Sequence, residues 1–168
     1  MKKLILVILI AAGAWWYFVG GRKLSEEHVQ GFYRNLERAT LERKPEALCS
    51  LLAKDFESTG TVAIAGQSRT QSQDKAQTCE GYRLLYDSWE KLGEKMGGIL
   101  QLDSDYTIHS VEISADNKTA TVDVSSSLDV AGSIMKIRAR STDTLIRRNG
   151  KVLLLRSESK GSIGGRGF

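Results

Sequence analysis

The chain has 168 residues, with 24 lysines and arginines against 20 acids, which is enough for one domain with a buried core and no strong net charge. An apolar content of 41% with a single proline excludes a disordered or low-complexity chain. No internal repeat is present, which excludes a solenoid or propeller.

Residues 1–24 stand apart from the rest. Lys2 and Lys3 precede the uncharged run LILVILIAAGAWWYFVGG, Leu4 to Gly21, and Arg22 and Lys23 close it. As a helix this run spans about 27 Å at roughly 1.5 Å per residue, close to the thickness of a bilayer's hydrocarbon core. Trp15, Trp16 and Tyr17 lie toward its far end, where amphipathic aromatics favour the membrane interface. The pattern predicts one N-terminal transmembrane helix acting as a signal anchor. Ala12-Gly13-Ala14 resembles a signal-peptide cleavage site and is the rival reading. Lys2 and Lys3 belong on the cytoplasmic side. The expected location is therefore a bacterial inner membrane, crossed once, with the C-terminal domain in the periplasm.

Ser25-Glu26-Glu27 then signals a helix start, by side-chain capping and favourable charge at the positive end of the dipole. Val29, Phe32, Tyr33, Leu36 and Ala39 follow at helical spacing. Pro45 reads as the first-turn proline of a second, short helix carrying Ala47, Leu48, Leu51 and Leu52. FESTGTVAIAGQSR, residues 56–69, predicts a strand or hairpin. A third helix starts near Asp74, carries Tyr82, Leu85, Trp89, Leu92 and Met96, and ends at Gly97-Gly98. From Ile99 onward alternating runs predict about four antiparallel strands, with Asn149-Gly150 as the clearest hairpin turn. SIGGRGF closes the chain and reads as a flexible tail over residues 161–168. The expected organisation is an anchor and linker over 1–24, an α+β domain over 25–160, and the tail.

The order of elements resembles the NTF2-like superfamily, which includes SnoaL-like, ketosteroid-isomerase-like and DUF4440-type proteins. The residues that carry the resemblance are the first helix through FYRNLERATLERK, the helix PEALCSLLAKDF with its following strand, the helix DKAQTCEGYRLLYDSW and the closing meander. It implies a cone: three helices packed on a curved antiparallel sheet around one pocket. It does not imply one activity, because the superfamily holds isomerases, dehydratases, ligand binders and assembly subunits.

Cys49 and Cys79 are the only cysteines, one on each of two predicted helices. In an oxidising compartment they are expected to form a disulfide. The other reading is two buried, unpaired thiols. Neither sits in a CxxC pair or near a histidine, so no metal is expected. No cofactor is expected either.

In ketosteroid isomerases a tyrosine on the first helix and an aspartate base on the strand after the second helix act together. Tyr33 falls near the tyrosine position, while Gly60 stands near that of the base, with Asp55 and Glu57 earlier. His28, at the start of the first helix, reads as a surface residue. If Val111 and Ile113 face inward, alternation puts His109 inward with them. A pocket of His109, Ser126, Ser141 and Asp143 then suits a small apolar ligand, or a His109–Asp143 general-base pair.

Residues 134–168 carry a marked excess of base, with Lys136, Arg138 and Arg140 sharing one strand face and Arg147 and Arg148 extending it. This is either a solvated outer face or a surface for anionic lipid or an acidic partner. No nucleic-acid motif accompanies it, so no nucleic-acid partner is expected. The leading expectation is a membrane-anchored, non-catalytic domain that binds a small apolar ligand or an envelope protein partner, with a homodimer also open. The alternatives are a small isomerase or dehydratase using His109 and Asp143, and a structural subunit of a larger membrane complex.

Overall fold

The computed structural model describes residues 8, 21, 23–64, 67–98, 100–132 and 134–165. The expected membrane span over 4–21, with Lys2, Lys3, Trp15, Trp16 and Tyr17, lies outside the described residues except for Ile8 and Gly21. No helix among the described residues is long and apolar enough to cross a membrane.

Helix α1, Glu26–Leu41, is capped by Ser25, whose Oγ accepts from the His28 backbone N–H, with Glu26 and Glu27 in the first turn. Val29, Phe32, Tyr33 and Ala39 form its buried face. Helix α2, Pro45–Ser50, begins on the proline, where a missing N–H costs nothing. Strand β1, Leu52–Ile64, turns back as β2, Gln67–Asp74. Asp74 then caps helix α3, Lys75–Lys95, and Gln77 closes a capping box with bonds of 2.8 and 3.0 Å. Strands β3, Leu102–Ile113, β4, Thr119–Val130, β5, Met135–Arg148, and β6, Lys151–Gly164, complete the chain as an antiparallel meander. Asn149 and Gly150 both adopt positive φ, 52° and 77°, which a tight hairpin of this kind requires.

The sheet order is β2-β1-β6-β5-β4-β3. The sheet is mixed, which corrects the antiparallel expectation: β6 pairs parallel with β1. Alternation along a strand reveals a buried face but not the neighbour, and this neighbour lies far away in sequence. The tail expectation is also corrected over residues 161–164. Ile163 pairs with Ile137 on one side and Ile64 on the other, so two ladders hold a segment of poor intrinsic strand propensity. Glycine is needed within it, since a Cβ on Gly161 would stand 2.9 Å from the carbonyl oxygen of Arg138. Residues 166–168 lie outside the described residues.

The helices cover one face of the curved sheet. One core cluster joins Leu24, Val29, Phe32 and Tyr33 to Val122, Leu145 and Leu154, and a second joins Ala39, Leu48, Tyr86 and Trp89 to Leu100 and Val130. Cys49 and Cys79 form a disulfide, with Cα atoms 5.4 Å apart, that ties α2 to α3. The stripe expected on α3 is turned: Tyr86, Trp89 and Gly93 are buried, while Leu85, Leu92 and Met96 are 38%, 43% and 53% exposed.

Candidate functional site

A cavity of about 290 Å³ lies between the helices and the sheet. Small side chains on the sheet's inner face make room for it. Ser126, Ala139 and Gly161 are cross-strand partners in one row, and Val124, Ser141 and Ser159 in the next. Large residues there would have filled the space, as they do elsewhere in close-packed interiors. The wall is aromatic and aliphatic: Tyr33 from α1, Tyr82, Tyr86 and Trp89 from α3, Tyr106 from β3, and Leu36, Leu128 and Ile137. Tyr33 stacks on Tyr106 with ring centroids 5.7 Å apart. Tyr86 meets Trp89 edge-on at 5.5 Å.

The polar end of the cavity is built on Asp143, which is only 5% exposed. Tyr33 Oη donates to its Oδ2 at 2.8 Å and Ser157 Oγ to its Oδ1 at 2.7 Å, and the Ser141 hydroxyl lies nearby on the same strand face. Burial pushes the Asp143 carboxyl above the ordinary aspartate range, and the three hydroxyls oppose that shift without cancelling it. Burial and the neighbouring Asp143 hold the Tyr33 phenol protonated far above its usual range. The Tyr82 phenol is pushed up to about 12, first by burial, then by Tyr86 and Asp143. Tyr86 Oη donates to the Thr40 carbonyl at 3.2 Å. Tyr82 Oη has no hydrogen-bond partner among the described residues. The chemistry is thus a hydrogen-bonded carboxyl at one end, two phenols, Tyr82 and Tyr106, without a partner among the described residues, and an apolar wall.

Four of the residues singled out from sequence meet at this cavity: Tyr33, Ser126, Ser141 and Asp143. His109 does not, and no His109–Asp143 pair forms. It is exposed on the outer face, its Nε2 within 2.8 Å of Ser125 Oγ. The reason is a register shift in β3 between Ile108 and Ser110. Tyr106 and Ile108 face inward before it and Val111 and Ile113 after it, so alternation counted back from Val111 fails at His109. His28 bonds through Nδ1 to Ser25 Oγ at 2.7 Å, outside the cavity.

The strand position of the isomerase base offers no carboxylate to the cavity among the described residues. Gly60 faces Ser159, Arg148 bonds Asp55 and holds its carboxyl below the usual range, and Glu57 lies 3.8 Å from Arg156. Much of the basic strip is also spoken for. Lys136 pairs with Asp129 at 2.9 Å, Arg140 with Asp123 at 2.7 Å, and Arg147 donates to the Lys23 carbonyl at 2.9 Å. No group of three or more metal-ligating side chains occurs among the described residues. Tyr82 and Trp89 read from sequence only as an apolar helix stripe, and alternation counted back from Val111 puts Tyr106 on the outer face, so the sequence marked none of the three as cavity wall.

No protein-family model and no curated protein matches the chain. Solved structures do. A scytalone dehydratase-like protein from Novosphingobium aromaticivorans is 11% identical, with a TM-score of 0.58 over 85% of this chain and 88% of that one. LinA is 15% identical, with a TM-score of 0.58 over 85% and 90%. An NTF-2 like protein of unknown function from Shewanella oneidensis is 15% identical, with a TM-score of 0.54 over 82% and 99%. At these identities the likeness is one of architecture, and the fold of this chain is NTF2-like.

Proposed function

We propose that the domain binds a small, mostly apolar molecule carrying one hydrogen-bond-accepting oxygen, and holds it without turnover. The observation that carries this reading is the cavity itself: an aromatic wall in which two phenols, Tyr82 and Tyr106, have no hydrogen-bond partner among the described residues, Tyr82 being the one that lies on α3 over the apolar part of the wall. Its volume of about 290 Å³ falls just short of the roughly 300–1,000 Å³ typical of ligand sites, which suits a small ligand. Among its fold neighbours are dehydratase-like and isomerase-like proteins, so turnover is the competing reading. Against it, no histidine among the described residues stands with Asp143 in the cavity to act as its acid or base partner, since His109 lies on the outer face. The disulfide suits an oxidising compartment. Together with the apolar run over 4–21, it supports a domain held at the outer face of a bacterial inner membrane, in the periplasm.

The test is native mass spectrometry and thermal unfolding of the full-length chain, as purified and with added 2-naphthol. A retained organic mass or a rise in Tm is expected. Leu128→Trp, which fills the cavity, abolishes it. Tyr82→Phe weakens binding about tenfold, the scale of one hydrogen bond to a buried polar group. His109→Ala leaves binding unchanged. Wild-type protein with neither retained mass nor a Tm shift overturns the reading. A partner protein on α3 is the second reading, favoured by the 43% and 53% exposure of Leu92 and Met96. It predicts a co-purifying protein that is lost in Leu92→Glu.

A further inference from the structure

We propose that the outer face of the sheet carries a second site, for a phosphorylated polyol. A groove of about 520 Å³ crosses β3 to β6 on the face away from the helices. Arg138, Arg140 and Lys160 project into it, with the hydroxyls of Ser125, Ser127 and Ser162 between them. Arg140 and Lys160 are direct cross-strand partners, and Arg138 stands two residues from Arg140, opposite Ser162. Direct partners in a sheet lie roughly 5 Å apart, and alternate residues of one strand about 7 Å apart. Three cationic stems therefore converge on one small area.

Their pairing is uneven. Arg140 is clamped by Asp123, with bonds of 3.0 Å from Nε and 2.7 Å from Nη2, which fixes its guanidinium and leaves Nη1 to the groove. Neither Arg138 nor Lys160 has an ion-pair partner among the described residues. Like charges placed directly opposite on adjacent strands destabilise a sheet. Asp123 offsets the Arg140 charge, so the uncompensated crowding in the empty protein is of Lys160 with Arg138, and an oxyanion between them relieves it. Phosphate suits the arrangement, because a guanidinium fork and an ammonium supply charge-assisted donors and the serine hydroxyls add neutral ones. Asp105 on the rim repels a bare polyanion but accepts from a hydroxyl. A phosphate joined to a polyol satisfies both ends. The groove and the cavity share Asp105 and Ser127 among their lining residues, but Arg138, Arg140 and Lys160 line the groove alone and Tyr82 the cavity alone.

The experiment titrates sn-glycerol 1-phosphate into the full-length chain in zwitterionic detergent, followed by amide NMR. A second arm uses mixed micelles containing phosphatidylglycerol, which presents the same phosphoglycerol group on a lipid. Shifts at Arg138, Arg140 and Lys160 that weaken with salt are expected in at least one arm. Arg138→Gln with Lys160→Gln is expected to weaken binding at least about tenfold. Response to the soluble ester alone assigns the site to a free metabolite, and response to the micelles alone assigns it to a headgroup. Lys160→Gln is also expected to raise the Tm of the unliganded protein, a sign a merely solvated lysine would not give. No shifts in either arm, equal binding by the double variant, or a change only in oligomeric state would overturn the proposal.

Discussion

Asp143 is the one buried charged side chain among the described residues, and it is costly to place because a carboxyl leaves water and recovers only hydroxyl donors. Burial holds its pKa in the folded state above the ordinary aspartate value, so between that value and the raised one the folded protein holds a proton that the unfolded chain has released. Stability must then fall as pH rises through this window and level off above it. Asp55 and Asp116, which are exposed, and the half-buried Asp123 have lowered pKa values and act in the opposite sense below that window. The clean measurement is therefore a difference. Urea unfolding of wild type and Asp143→Asn from about pH 4 to 8 should show wild type losing ground to the variant as pH rises. A flat difference, or a wild type that gains, would contradict the buried-carboxyl account. Ser157→Ala removes one of the donors and should cost about 1–3 kcal/mol at neutral pH, read in the same unfolding assay. Asp143 was legible in the sequence as an inward position beside Leu145. His109 was not, because one extra residue in β3 reversed its face and nothing local in DYTIHSVEI marks the bulge.

At the level of elements, the turns and caps were readable and the pairings were not. Ser25, Pro45, Asp74 and Asn149-Gly150 act on neighbours within four residues, so their effect is written locally. The parallel β1–β6 ladder and the strand through Gly161–Gly164 depend on partners about a hundred and about twenty-five residues away, and no periodicity carries that. The β4–β5 turn shows a local misfit. Ala131 adopts φ 51° ahead of Gly132 at φ 65°, a left-handed conformation that a Cβ resists. Its N–H donates to the Gln101 carbonyl at 2.8 Å, so the backbone is held there. Ala131→Gly keeps that bond and removes the Cβ strain. It should raise stability by about 0.5–1 kcal/mol in urea unfolding, and a loss would mean that the Ala131 methyl's contact with the second core cluster outweighs the backbone term.

For the whole molecule the weak seam is between α2 and the rest. A helix of six residues cannot hold itself together in water, and Leu48 is its one buried side chain. The Cys49–Cys79 bond closes a loop with a sequence separation of 30, a constraint worth about 3–4 kcal/mol in the chain-entropy account. Leu48 and Tyr86 both line the cavity, so loosening α2 from α3 also loosens the ligand's wall. Two effects are therefore coupled. The Cys49→Ala, Cys79→Ala double variant should lose about 3–4 kcal/mol of unfolding free energy, and its affinity for 2-naphthol should fall with it. Reduced wild type should match the double variant in both. If stability falls while binding stays intact, α2 is a passive cover and the cavity is shaped by α1, α3 and the sheet alone. If the chain isolated from cells under thiol-trapping conditions carries two free thiols, the bond belongs to no oxidising compartment. The periplasmic proposal then fails while the fold and the cavity stand.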